Sequence, residues 1–422
     1  MAPSRLQDTF MTVSFKSIQA AAELLKGNAV RTPLLHSVKL SEVTGADIHV
    51  KFENLQVTNS FKDRGAFVKL ASLSEAERER GVIAMSAGNH AQAVAWHAHR
   101  LAIPATIVMP ETTPFTKVER TRAHGAQVVL SGETLADAQV TAEAIIAEKG
   151  LILVHPYDDD RIISGQGTVG IEMLEDAPDL GVIVVPIGGG GLISGVSIAA
   201  KHLKPDIEII GVEVKSYPSM YHALRGQPAK CGGMTLAEGI AVKNVTERTI
   251  TICKQHVDDV RLVGEPDIER AVMTYLTHQK TLAEGAGAAG LAAVFADPGR
   301  FRDRKVGLVL CGGNMDPRIL ASVIYRQLER ESRIVTLRIL IDDRPGMLGR
   351  IATLVGQHGA NILEVSHQRM YLDIPAKGAE LELMLETRDA RHAEEIVALV
   401  ENQGFVTRVL DSSGGRDALR RR

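Results

Sequence analysis

The sequence predicts an α/β protein in two parts, a parallel-sheet region reaching to about residue 330 and a ferredoxin-like unit after Ser332. Three observations carry this reading. Short apolar runs alternate with helical stretches between Ile48 and Leu310, and repeated strand–helix–strand order implies parallel sheets with right-handed crossovers. From Ile334 the order becomes β-α-β-β-α-β within roughly eighty residues. At 422 residues the chain exceeds one ordinary core, so more than one domain is expected.

Each element has a local reason. Residues 13–28 place Ile18, Ala21, Ala22 and Leu25 at helical spacing, and Gly27 closes the turn. Residues 48–52 alternate like a strand and deliver Glu53 and Asn54 to a loop that carries Lys62, with a helix expected over 65–73. A strand over 81–85 ends at Ser86, and helical sequence resumes at 91–100. Residues 105–110, 116–124 and 127–131 continue the alternation, and 151–155 forms a further strand. Tyr157, Asp158, Asp159 and Asp160 read as a solvated acidic turn rather than a cation site. Gly165, Gln166, Gly167 and Thr168 are expected to open the next helix. Strands at 207–214 and 306–310 flank a helix at 267–279. In the second part, strands at 334–341, from Asn361, and at 380–387 alternate with helices ending near His358 and Gln403. The start, residues 1–13, is expected to be flexible, and the tail from Asp411 polar and disordered.

Composition excludes several function classes. Apolar residues make up 45% and charged ones 23%, the mix of a soluble globular protein. A net charge of −3 gives no general pull towards nucleic acid or anionic membrane, and 4% aromatics provide no stacking platform for single strands. The three cysteines are far apart and odd in number, without zinc spacing, which fits a reducing cytoplasm. No secretory signal precedes Val13. Residues 181–200 are uncharged and long enough to span a bilayer, yet Pro186 and four glycines interrupt them, so strand, loop and helix is the expectation.

Two stretches carry chemistry. Lys62 follows Phe61, and an amine held beside an aromatic wall loses solvation, which lowers its pKa and makes it a candidate nucleophile. Gly188, Gly189, Gly190 and Gly191 supply bare backbone N–H groups able to wrap a phosphate. A reactive amine with a phosphate cradle points to pyridoxal phosphate, which carries an aldehyde and a phosphate. The turn Ser86, Ala87, Gly88, Asn89, His90 sits at a helix N-terminus, where free N–H groups attract a carboxylate. The rival for the glycine run, a dinucleotide site, fails on spacing: Ile193 or Ser194 stands where the third glycine is required. A formal G-x-G-x-x-G at residues 285–290 follows no strand and reads as a closely packed helix start.

On these residues the chain resembles the threonine dehydratase family, fold-type II pyridoxal-phosphate enzymes. The resemblance implies a tryptophan synthase β-like, two-lobed parallel-sheet catalytic region over 14–330, its small lobe at about 52–158 inserted in the large one. Residues 333–410, with Arg344-Pro345-Gly346-Met347-Leu348 and Gly359-Ala360-Asn361-Ile362, resemble an ACT domain, an amino-acid-sensing module. By the same resemblance Lys62 matches the lysine that carries the cofactor, and Phe61 the aromatic against the pyridine ring. Asn89 matches the partner of the phenolic oxygen, and Gly188 to Gly191 with the Leu192 amide match the phosphate loop. Ser86, Ala87, Gly88, Asn89 and His90 match the substrate-carboxylate loop, while Gly239 and Glu284 line the wall. Cys311 matches the residue facing the ring nitrogen, where a serine often stands; a neutral thiol cannot hold that nitrogen protonated, which weakens the electron sink and favours loss of a β-substituent.

The implied reaction is deamination of L-threonine to 2-oxobutanoate and ammonia, with Lys62 removing the α-proton, and L-serine as a further substrate. Related serine racemases place a serine where Ala87 stands, and a methyl group cannot carry the second proton, so elimination is favoured. Glu213 matches the first ligand of a cation site in some relatives, but Ser219 replaces the next, so no metal is expected. The alternatives are an ammonia-lyase for serine or 3-hydroxyaspartate, and a non-catalytic amino-acid sensor. The ACT resemblance implies an amino-acid effector, isoleucine or valine, and a homodimer or homotetramer. Nucleic acid and membrane are not expected partners.

Overall fold

The computed structural model describes residues 13–369 and 378–410, so the expected flexible start before Val13 and the tail from Asp411 lie outside the described residues. The chain divides into two compact units, Met1–Met315 and Asp316–Arg422.

The first unit holds two sheets. Strands β1 (Leu34–His36) and β2 (Asp47–Phe52) open the larger one, β3 (Val82–Met85), β4 (Ala105–Met109), β5 (Gln127–Leu130) and β6 (Ile152–Leu153) make the smaller, and β7 (Val182–Pro186), β8 (Glu208–Val214), β9 (Asp259–Val263) and β10 (Lys305–Leu310) complete the larger. The larger sheet runs β1-β2-β10-β7-β8-β9 and the smaller β5-β4-β3-β6. All pairings are parallel except β1 on β2. Every residue of β7 is buried, as expected for a parallel strand covered on both faces. The smaller sheet lies in sequence between β2 and β7, so the chain leaves the larger sheet and returns to it.

The helix Lys62–Ala71 links the two sheets, and Lys62 is its first residue rather than part of the preceding loop. It crosses the helix Asp160–Asp176 at a glycine pair. A Cβ on Gly165 would lie 2.7 Å from Gly65 Cα, and one on Gly65 would lie 2.8 Å from the Ile162 carbonyl oxygen. Gly165 therefore sits inside a helix, where the sequence placed a helix start; the glycines serve backbone-to-backbone packing and not termination. The acidic stretch before it is also not a solvated turn. Asp159 caps the helix, accepting from the Arg161 and Ile162 amides, and pairs with Lys69 at 2.5 Å. Asp160 meets Arg248 at 2.9 Å, and Asp158 pairs with the same guanidinium.

A buried charge cluster fixes the start of the Lys62 helix. Arg64 donates to both oxygens of Glu53, at 2.7 and 2.8 Å, and to both of Glu172, at 2.6 and 2.8 Å. Lys51 Nζ adds bonds to Glu172 at 2.5 Å and to the Thr32 carbonyl oxygen at 2.6 Å. Lys51, Glu53 and Arg64 are 1% exposed or less. Buried charges persist only when paired and hydrogen-bonded, and here β2, the Lys62 helix and the Asp160–Asp176 helix all contribute.

The second unit is ferredoxin-like. Strands β11 (Ile334–Asp342), β12 (Asn361–Gln368), β13 (Gly378–Glu386) and β14 (Val406–Leu410) form an antiparallel sheet in the order β12-β13-β11-β14. Ala379, Leu381, Leu383 and Leu385 alternate inward on β13 against Ile351 and Val355 of the helix Met347–Gln357 and Ile396 and Val400 of Ala390–Asn402. The helix Pro317–Arg330, capped by Asp316, precedes β11. Among the described residues no helix is long and apolar enough to cross a membrane, and residues 181–200 divide into β7, the glycine loop and the helix Gly191–Leu203.

Candidate active site

The segments that follow β6 and β10 meet at Lys62 and its neighbour Phe61. The loop before it is zipped to the turn after β10: Phe61 N donates to Cys311 O at 3.1 Å, Ser60 bridges Gly312, and Gly313 N donates to Asn59 O at 2.9 Å. Sequence separation of some 250 residues is thereby closed, and Lys62 and Cys311 share one wall. Lys62 Nζ lies 5.0 Å from the Phe61 ring centroid and donates to the Pro156 carbonyl oxygen at 2.7 Å. Burial lowers the Lys62 pKa from 10.5 to about 8, opposed by the nearby Cys311 and Glu284. Cys311 is 3% exposed, and burial pushes its thiol well above its ordinary value, so it stands neutral.

Opposite this wall the smaller sheet supplies the turn after β3. Gly88 N donates to Ser86 Oγ at 3.2 Å, and Asn89 begins the helix Asn89–Arg100. The first turn of that helix leaves amides without intrahelical acceptors, the arrangement that binds a carboxylate. The His90 ring is turned away. Its Nε2 meets the Val154 carbonyl oxygen at 2.8 Å, and burial lowers its pKa to about 3, so its backbone is what it offers the turn. Ala87 packs against the core of the smaller sheet.

Asn89 is held from both ends of its amide. Its Nδ2 donates to Glu284 Oε1 at 2.7 Å, and its Oδ1 accepts from Asn314 Nδ2 at 2.9 Å. Asn314 also donates to the Thr58 carbonyl oxygen at 2.8 Å. Asn314 was not singled out from the sequence; its place after Cys311-Gly312-Gly313 was the available signal. Burial raises Glu284 to about 7, against the lowering effect of the Asn89 bond.

The glycine loop follows β7. Gly190 has φ +93°, which glycine alone adopts without strain, and Gly191 begins the helix Gly191–Leu203. Tyr157 packs on the loop so closely that a Cβ on Gly189 would lie 2.2 Å from its ring. Its Oη donates to the Asn244 carbonyl oxygen at 2.9 Å. Sequence reading missed Tyr157 because its partners are distant in the chain. Gly239 lies against this loop and near Glu284: a Cβ on Gly188 would be 3.1 Å from Gly239 O, and one on Gly239 would be 3.5 Å from Glu284 Oε1. Leu192 is buried at the second position of the helix. Glu213, by contrast, spends both carboxylate oxygens on the Met220 and Tyr221 amides at 2.8 Å.

These groups fit pyridoxal phosphate on their own chemistry. A buried amine of lowered pKa answers an aldehyde, a side-chain-free loop at a helix N-terminus answers a phosphate, and a neutral thiol can face an unprotonated ring nitrogen.

Comparison with known proteins agrees. Residues 25–312 match the pyridoxal-phosphate dependent enzyme family, and residues 335–405 match the ACT domain. The chain belongs to the pyridoxal-phosphate-dependent enzymes of fold-type II, and it carries a C-terminal ACT domain. A Thermotoga maritima protein named L-threonine ammonia-lyase is 44% identical over 400 residues, covering 94% of this chain and 100% of its own. The structure of a processed threonine deaminase isoform 2 from Solanum lycopersicum superposes with a TM-score of 0.70 at 36% identity, over 74% of this chain and 87% of that one. Maize serine racemase gives a TM-score of 0.70 at 33% identity, over 76% and 99%.

Proposed function

We propose that this protein deaminates L-threonine to 2-oxobutanoate and ammonia by α,β-elimination, accepts L-serine as a second substrate, and is controlled by an amino acid at its ACT domain. The observation that carries the reading is the likeness to the Thermotoga maritima L-threonine ammonia-lyase, which runs through both units at 44% identity.

When bound, pyridoxal phosphate supplies an aldehyde for the substrate amine and an electron-accepting ring. The chain's own residues do the rest. The amides of Gly188, Gly189, Gly190, Gly191 and Leu192 would hold the phosphate, and Gly239 borders that cradle. Phe61 would pack on the cofactor ring, Asn89 would hydrogen-bond its phenolic oxygen, and Cys311, as a neutral thiol, would leave the ring nitrogen unprotonated. The turn from Ser86 to His90 binds the substrate carboxylate. Lys62, whose pKa of about 8 leaves part of it neutral near pH 7, takes the α-proton. Ala87 offers no proton to the opposite face, which supports elimination over racemisation. The reading places the protein in the cytoplasm, in isoleucine biosynthesis, as a homodimer or homotetramer. Three free cysteines among the described residues support a reducing compartment.

Steady-state rates on threonine, serine and 3-hydroxyaspartate, with and without isoleucine or valine, test this. The expected result is the highest kcat/KM on threonine with 2-oxobutanoate as product, and a shift in the curve with one of the effectors. Turnover of serine or 3-hydroxyaspartate alone, or none on any of the three, overturns it.

A further inference from the structure

At the far end of β2 from the active site, three side chains converge. His36 on β1 and His49 on β2 are directly opposed in the antiparallel register. Asp47 lies two residues before His49, on the same face of the strand, because strand side chains alternate. Asp47 Oδ1 is 3.1 Å from His36 Nε2 and 3.2 Å from His49 Nε2. The three ligand atoms lie within 4.8 Å of one another.

Two further features make this more than a surface ion pair. Asp47 Oδ1 is buried and accepts no hydrogen bond, although two imidazole nitrogens sit within reach. The two distances to Asp47 Oδ1 also match ligand spacing. With metal–nitrogen and metal–oxygen bonds of about 2.0–2.1 Å, two ligands of a tetrahedral ion lie about 3.3 Å apart. Ser41 Oγ donates its proton to the Ser37 carbonyl oxygen at 2.8 Å and touches His36 Nε2 only at a long 3.4 Å, a contact that an ion on the ring nitrogen would replace. Lys305, the nearby cation, is paired with Asp179 at 2.6 Å.

We propose that His36, Asp47 and His49 bind one divalent first-row transition ion, zinc(II) in the first instance, with solvent completing its coordination. Two imidazoles and one carboxylate suit such an ion and not calcium or magnesium, which take oxygen donors. The ion joins β1 to β2 and so clips the edge strand of the larger sheet. The site is separate from catalysis: β2 spans six residues, about 20 Å, between Asp47 and the loop that leads to Lys62.

The test uses the full chain loaded with pyridoxal phosphate, stripped with a chelator, then titrated with zinc(II) against a chromophoric competitor, and separately with cobalt(II) for its d–d absorbance. The expected result is one equivalent bound per chain, with affinity reduced at least about 10-fold by Asp47→Asn and by His36→Ala. Thermal stability should rise with zinc(II) in the parent protein and not in His36→Ala. His36 is half-exposed, so its loss leaves the fold intact, and cofactor absorbance checks that. Absence of stoichiometric binding, or binding that survives both substitutions unchanged, overturns the proposal.

Discussion

Asn89 Nδ2 donates to Glu284 Oε1 across 2.7 Å, and this bond joins the turn after β3 to the cap of the helix Gly285–Ala296. One partner belongs to the smaller sheet's side of the site and the other to the helix packed on β7 and β10. The acceptor is a carboxyl whose burial raises it from 4.5 to about 7.

That shift has a definite sign. Between pH 4.5 and 7 the folded chain holds a proton on Glu284 that the unfolded chain has released, so stability falls as pH rises through this window. Glu284→Gln keeps the oxygen that accepts from Asn89 and removes the titration. The apoprotein variant should therefore gain on the parent from pH 4.5 upward and level off above 7, by on the order of 3 kcal/mol. Thermal melts of both proteins across that range check this; a difference independent of pH would refute it.

Lys62 should react as an amine of pKa about 8. In apoprotein its acylation rate should climb about tenfold per pH unit below that value and plateau above it, as the neutral fraction saturates. Mass mapping of the labelled residue provides the measurement, and a plateau displaced beyond pH 10 would contradict the burial argument. Lys62→Ala should lose both the visible absorbance of the bound cofactor and turnover.

Gly189→Ala should weaken cofactor binding, because the new Cβ falls 2.2 Å from the Tyr157 ring. Overpacking of this kind costs about 1–3 kcal/mol, or roughly 5- to 150-fold in affinity. Adding Tyr157→Ala should recover part of the loss. No recovery would show that Tyr157 is not the obstacle.

Arg64→Met should destabilise the first unit by about 3–5 kcal/mol, since it removes the guanidinium from buried Glu53 and leaves Glu172 with Lys51 alone. Denaturant unfolding monitored by circular dichroism reads the effect directly. A change below about 1 kcal/mol would mean that solvent reaches the carboxylates.

Much of this architecture was legible because strands with short apolar runs, such as the β-branched residues 182–185 and the Val- and Leu-rich residues 306–310, announce themselves locally. The catalytic motifs were legible for a similar reason: Lys62 and the glycine loop are each contiguous. What escaped depends on distant partners. Gly165 looked like punctuation, and only Gly65, a hundred residues away, reveals it as a helix contact. Asp158, Asp159 and Asp160 looked solvated because Lys69 and Arg248 are remote. The helix Leu135–Lys149 went unnoticed, since its apolar residues are spread around it and only Ala138 and Ala142 are buried. Strand β6, expected over 151–155, pairs only at Ile152 and Leu153, where it meets the edge of β3.

Strand β10 is nearly the last segment of the first unit, yet it lies between β2 and β7 and is bonded to both. On a ribosome, the earlier strands therefore wait as two unjoined fragments until residue 310 has emerged. Any truncation upstream of Lys305 would leave two bare sheet edges facing each other, an invitation to aggregate. The wedge that closes the sheet also delivers Cys311, so structural completion and assembly of the reaction centre fall on one late moment of synthesis.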